Sequence, residues 1–287
     1  MSIQPKLKET VYSQQLMRKG LISFFLDIFK DFRDGHNLGK QLFVRDTKAL
    51  YRQSFLGLIW AFIPPIITAV LWIFLNNSRV ITVEVTGMSY ALFAVIGTFL
   101  WQVVTLSITT TLNTVNSGKP LLTKLNFPRE SLLIHAFYTI LFNTGILFLI
   151  TTVIALTVGW VPSWSFLLFP FVLLALVLVG FVIGLLSLTI FGIIADFSRI
   201  IPIALQLLMY VSAVIFPTPK GDGLAATIFQ LNPFTYLITF CRSFFVHLPL
   251  EHDFGFFVIL IVTLFLLLVG LFIYRITMPI VIERLGS

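Results

Sequence analysis

Charge is what this sequence lacks most. Only 11% of its 287 residues are charged, 58% are hydrophobic, and the mean hydropathy is +1.00. A water-soluble domain needs more polar cover than that, so the composition excludes one and points to a polytopic membrane protein. Cysteine is nearly absent: Cys241 stands alone, which excludes an internal disulfide framework and leaves packing as its expected role. A nucleotide-binding loop is also missing. Gly35-His36-Asn37-Leu38-Gly39-Lys40-Gln41 has its outline, but the spacing is one residue short and Gln41 stands where Ser or Thr would hold magnesium. His36, His135, His247 and His252 form no HExxH pattern, and Glu251-His252-Asp253 reads as a solvated loop, not a metal site. No Ser–His–Asp or paired-carboxylate set stands out. The apolar segments hold few ionisable groups, which argues against a pump built on carboxylate relays. The expectation is a chain that is not an enzyme, with no catalytic residue, no metal and no cofactor of its own. Residues 1–20 are polar and read as a cytosolic tail without a cleavable signal peptide.

Six long apolar segments are present, roughly Phe55–Leu75, Tyr90–Leu112, Leu132–Val158, Phe166–Ile194, Ile200–Phe216 and Phe254–Ile276. A span needs about 20 residues, so the fifth is short. Pro64-Pro65 is expected to kink the first. Residues 1–54 carry ten of the 19 Lys and Arg, and only Arg79, Lys220 and Arg242 fall on the side opposite them. That asymmetry places both termini in the cytosol. The fold expected is all-α, with interface helices and a tail in 1–54, a six-span domain in 55–276 and a cytosolic tail in 277–287. The apolar stretch Leu224–Val246, within 221–253 and broken at Asn232-Pro233, must enter and leave from the outer side. It reads as a pair of re-entrant half-helices or a surface hairpin, with an outer gate as its preferred role.

The stretch Leu42–Pro65 starts as a basic amphipathic helix and becomes the first span. Phe43, Thr47, Leu50, Tyr51 and Ser54 share one face, and Arg45, Lys48 and Arg52 the other. Such a helix lies at the membrane surface with its apolar side in lipid. Its cations are either a juxtamembrane anchor or a surface that receives an anionic lipid-linked head group. An earlier amphipathic segment, Leu21 to Phe32, reads as a second surface helix, broken by Asp34-Gly35-His36-Asn37. In the second span Thr98, Gln102, Thr105, Thr109, Asn113 and Asn116 follow one helical face, and His135, Thr139 and Asn143 repeat the pattern in the third. These stripes serve either interhelical hydrogen bonding or a hydrated conduit. Gly180-Phe-Val-Ile-Gly184 is a small-residue packing face, within the bundle or across a dimer. The connection Asn113–Ser131 carries Leu121, Leu122, Leu125 and Phe127, more apolar surface than a plain connector needs. It reads as a short helix lying on the membrane surface, open for docking.

Five features together carry a family likeness: RDTKALYRQSFLGLIWAFIPP, KPLLTKLNFPRE, ADFSRIIPIALQLLMYVSAVIFP, LNPFTYLITFCRSFF and the six-span order. Over roughly residues 40–276 the chain resembles the permease subunit of ATP-binding-cassette polysaccharide exporters, which export O-antigen, capsular polysaccharide or teichoic acid. The resemblance implies a homodimer in a bacterial plasma membrane above two copies of a separate ATPase subunit, which binds the ATP and magnesium. It implies a polyprenyl-diphosphate-linked glycan as cargo and no nucleic-acid partner. Gly118, Lys119, Pro120, Leu121, Lys124, Phe127, Pro128 and Arg129 would then couple to the ATPase. Arg45, Lys48, Arg52, Leu56 and Gly57 would form the entrance and suit a diphosphate. Thr98, Gln102, Thr105, Thr109, Asn113, His135, Thr139 and Asn143 would line the channel, and Asn232, Pro233, Tyr236 and Arg242 would belong to the outer gate. The alternatives are a permease of the same class for teichoic acid, lipid or drug cargo, and a membrane enzyme acting on lipid-linked sugars. The last would need acidic or His residues converging on one face, and the sequence offers none.

Overall fold

The computed structural model describes residues 21–52, 63–78, 85, 87–122, 127–191, 196–219, 221, 223–249 and 253–286. Among them there is no strand. The helices in chain order are α1 (Leu21–Arg52), α2 (Ile63–Asn77), α3 (Tyr90–Leu122), α4 (Glu130–Thr157), α5 (Trp164–Phe191), α6 (Phe197–Tyr210), α7 (Leu224–Leu231), α8 (Pro233–Val246) and α9 (Asp253–Gly286). Four of these, α3, α4, α5 and α9, are long and apolar enough to cross a membrane. The pair α7–α8, bent by 76°, makes a fifth if it counts as one span. The expected first span lies partly outside the described residues, because 53–62 are not among them, so the kink at Pro64-Pro65 lies at the edge of what is described.

The bundle is built around α3, which packs on α2, α4, α5, α6 and α8. Of its most apolar stretch 83% is buried, against 17% for α9. The exposed surfaces of α5 and α9 are apolar, for example Leu167 and Phe171, and Ile261 and Phe265. Backbone groups closed off inside helices can face hydrocarbon, so such surfaces suit lipid. Along the α3–α5 seam, a Cβ added at Gly180 would lie 2.6 Å from Ser107 Cβ, and one at Gly184 would lie 2.6 Å from the Ile108 carbonyl oxygen. The small-residue face thus works within the bundle, bringing two backbones together.

Several expectations give way. Asp34-Gly35-His36-Asn37 does not break the first helix: α1 runs unbroken through it. An added Cβ at Gly39 would lie 2.8 Å from the Ser131 carbonyl oxygen and from Ile134 Cβ. The glycines let α1 press against α4, and that packing outweighs their poor helix propensity. For the same reason part of the apolar side of α1 is covered by protein where lipid was expected, while Phe29 is 75% exposed and the side chains of 21–26 and 50–52 lie outside the described residues. Ile28, Gly35, Gly39 and Leu42 are buried, and Phe43 stacks on Tyr138. The Gly-Lys-Pro sequence at 118–120 does not end α3, which continues to Leu122 where 113–131 was expected to be a connection. Gly118 is buried against Leu132, and Leu122 is 8% exposed. The fifth apolar segment stops early, α6 ending at Tyr210, and in the turn that follows Ala213 takes a left-handed φ of 52°. Finally, the stretch expected as a tail from residue 277 continues α9 to Gly286.

Candidate functional site

Between Leu92 and Gly118, α3 leaves uncovered only Gln102, Thr105, Leu106, Thr109, Thr110, Asn113, Asn116 and Ser117. At 3.6 residues per turn these make one stripe, and all but Leu106 are polar. Ser107 and Thr111, roughly opposite, meet α5. The most enclosed helix of the fold therefore turns a polar face outward from the chain. Thr98, at the end of the expected stripe, is instead buried, its hydroxyl donating to the Ala94 carbonyl at 2.8 Å. Thr109 likewise donates to Thr105 O at 2.7 Å, so both hydroxyls are satisfied within the helix. On α4, Thr139 Oγ1 donates to His135 O and Asn143 Nδ2 to Thr139 O, a half-buried ladder on that helix. His135 sits under α1, with Nε2 3.3 Å from Asp46 Oδ2.

One end of α3 meets a polar corner. The α7–α8 break falls at Asn232-Pro233. Asn232 Oδ1 accepts from the Phe234 backbone N–H at 3.0 Å, capping α8, and Pro233 occupies the first turn, where its missing N–H costs nothing. The Asn232 amide donates to Val211 O at 2.9 Å and Ser212 Oγ at 2.8 Å. Tyr236 Oη donates back across the break to Gln230 O at 2.7 Å. Arg242, 3% exposed, donates from Nη2 to Ala213 O at 2.8 Å and to Val214 O at 3.0 Å, with its guanidinium 3.6 Å above the Phe93 ring. The guanidinium thus donates to two carbonyls of the turn that follows α6 and rests on an aromatic face, two arrangements that favour a cation. Gly97 makes the room: a Cβ there would lie 2.0 Å from Val214 O. Sequence reading counted Arg242 as an outer charge. Its burial, and the parts played by Gly97 and Phe93, had no signal in the pattern.

The other end of α3 carries the α1 cations and the turn into α4. Gly97 and Gly118 are about 30 Å apart along the helix, close to a bilayer's hydrocarbon thickness. Arg45 and Lys48 are exposed, and Arg45 Nε pairs with Asp46 Oδ1 at 2.7 Å, so part of its charge is answered within the chain. Phe127, Pro128 and Arg129 are half-buried, and Arg129 O accepts from Tyr274 Oη at 3.0 Å. Arg275 Nη2 pairs with Asp31 Oδ2 at 2.6 Å. Burial raises the Asp31 carboxyl above its ordinary value, and Arg275 opposes that shift. Leu56, Gly57 and Lys124 lie outside the described residues, as do the side chains of Arg52, Lys119, Pro120 and Leu121. Asp31, Tyr274 and Arg275 escaped the sequence reading because they are far apart in the chain.

Known proteins resemble this chain in sequence. The family model described as ABC-2 type transporter matches residues 38–246, from the middle of α1 to the end of α8. An O-antigen export system permease protein RfbA of Myxococcus xanthus is 25% identical over 203 residues, which cover 70% of this chain and 77% of that protein. Two proteins of the same name from Klebsiella pneumoniae are 23% identical over 215 residues (73% and 80% covered) and 25% identical over 237 residues (80% and 88% covered). With α2 to α8 inside the matched region, which spans well over half of the sequence, the chain belongs to the ABC-2 type transporter family.

Proposed function

We propose that this chain is the membrane subunit of an ATP-driven exporter that moves a polyprenyl-diphosphate-linked polysaccharide, O-antigen-like, across a bacterial plasma membrane. The observation that carries this reading is the α3 stripe. A helix otherwise sealed inside the fold leaves Gln102, Thr109, Thr110, Asn113, Asn116 and Ser117 partly uncovered toward whatever lies beyond the protomer, while the Thr105 hydroxyl is buried. Hydroxyl-rich polymers make and break hydrogen bonds with such groups as they advance. Two copies of the chain, stripe facing stripe, enclose one passage. In this reading six spans cross the membrane with both termini cytosolic, and α7–α8 dips in from the outer side as a gate. Arg45, Lys48 and Arg52 meet the diphosphate at the entrance around Leu56-Gly57. The relatives named as O-antigen export permeases support the choice of cargo.

Energy comes from two copies of a separate ATPase seated at residues 118–129. Closure of the ATPase pair displaces that segment and, with it, the spans as rigid bodies.

Two results are expected. Replacing Thr105, Thr109 and Asn113 together with Val, Val and Leu lowers surface polysaccharide at least tenfold while the amount of assembled complex stays within twofold. The measurement is hydrazide labelling of periodate-oxidised sugars on intact cells, alongside the complex recovered in detergent. Undiminished polymer would remove the stripe from the passage. Deleting the ATPase partner, or replacing Lys119 and Phe127 with Ala, abolishes surface polymer. Normal export in those cells would end the division of labour between the two subunits.

A further inference from the structure

The turn that joins α3 to α4 is gripped from two sides. On one side is α1, where Gly35 comes so close that an added Cβ would lie 3.2 Å from the Ser131 backbone nitrogen and 3.4 Å from Pro128 Cβ. On the other is α9, where Tyr274, 2% exposed, donates its hydroxyl to Arg129 O at 3.0 Å. The two gripping helices are tied to each other. Asp31 lies one turn before Gly35 on the same face of α1, and Arg275 follows Tyr274 on α9. Their ion pair closes at 2.6 Å, with side chains only 18% and 14% exposed. Screening by water is weak at such a site, and removing either partner would leave the other charge buried and unpaired. Glu130, at the start of α4, is buried in the same cluster.

A clasp of this kind has a mechanical meaning. A push on the turn that moved only α3 and α4 would have to slide past Gly35 and break the Tyr274 hydrogen bond. Both contacts resist, so the push is passed on. We propose that Asp31, Tyr274 and Arg275 are positioning residues that carry the ATPase stroke from the α3–α4 turn into α1 and α9 together. The entrance helix and the last helix then move with the turn as one body. This rests on the reading of residues 118–129 as the ATPase seat.

A clasp that merely holds the fold together would behave differently, and the coupling ratio separates the two. The test uses the whole transporter with its ATPase. ATP hydrolysis by the purified complex is compared with surface polysaccharide on the cells it came from, measured by periodate–hydrazide labelling. Tyr274→Phe, Arg275→Ala and Asp31→Asn are each expected to keep hydrolysis within twofold of wild type while export falls at least fivefold. The exchanged pair Asp31→Arg with Arg275→Asp restores the ratio. Tyr274→Phe removes a single oxygen, so it decides the matter even where the charge variants fail to assemble. An unchanged ratio in Tyr274→Phe overturns the proposal. So does a parallel loss of hydrolysis, export and assembled complex across the set, which is the signature of a purely structural role. Lys119→Ala and Phe127→Ala serve as the control. If they uncouple and the clasp variants do not, the clasp is wrong and the seat stands. If they leave the ratio unchanged, the seat is wrong, and with it the origin of the stroke.

Discussion

Gly97→Ala is expected to eliminate folded permease almost completely. The new Cβ would sit 2.0 Å from the Val214 carbonyl oxygen and 2.5 Å from Arg242 Nη2. Neither neighbour has anywhere to go, because Val214 is fully buried and Arg242 is 3% exposed. Overpacking of this sort costs about 1–3 kcal/mol when side chains can rearrange, and more when backbone must move. Displacing Arg242 adds to this. Each buried carbonyl left without its donor costs roughly 1–3 kcal/mol, and two of them, on Ala213 and Val214, depend on this guanidinium. Together these come to roughly 3–9 kcal/mol, which overlaps the whole stability of an ordinary domain, about 5–15 kcal/mol. Degradation before assembly is the expected outcome. The measurement is monodisperse protein recovered in mild detergent, with Gly145→Ala as the matched control. At Gly145 an added Cβ meets nothing within 4 Å. That helix should gain about 1 kcal/mol from the exchange and give at least wild-type yield. Equal yields from the two variants would mean that the corner is not packed as described.

The second large effect is expected at Gly184. Leucine there cannot fit, since even a Cβ would approach the Ile108 carbonyl oxygen to 2.6 Å and Thr111 Cβ to 2.8 Å. The seam must open along its length, because α3 and α5 touch at backbone level and neither can bow without pulling on its other neighbours. Between apolar helices in lipid, association rests on close packing, not on expulsion of water, so the lost contact has no substitute. Gly184→Leu should therefore lower the temperature at which the purified chain aggregates by more than 10 °C, and Gly184→Ala by a smaller amount. Heating in steps followed by size-exclusion chromatography reads both. Wild-type behaviour of the leucine variant would show that the two helices are not pressed together at this level.

Much of the architecture can be read without coordinates, for identifiable reasons. The apolar runs that become α4, α5 and α9 are long and uninterrupted, so length alone assigns them. The Asn232-Pro233 break is legible because proline lacks a donor and asparagine caps, and both act locally. The polar stripe of α3 is legible because helical period is a property of the chain itself. What periodicity cannot supply is the identity of the covering surface. An amphipathic α1 looks the same whether α4 or lipid lies against it, and its glycines look like breakers until α4 is seen against them. Arg242 is the clearest case. A lone arginine inside an apolar stretch reads as a charge on the outer side, and nothing local shows that it folds back on carbonyls 28 and 29 residues earlier. The Asp31–Arg275 pair, 244 residues apart, is beyond reach for the same reason.

Cys241 follows from that corner in a useful way. It is the sole thiol of the sequence, fully enclosed and adjacent to Arg242. A fluorogenic maleimide should stay dark on the intact chain and brighten only as α8 leaves its seat. The polypeptide thus contains its own reporter of collapse at one known spot. A Cys241→Ser background, in turn, leaves every other position free for sulfhydryl probes placed by design.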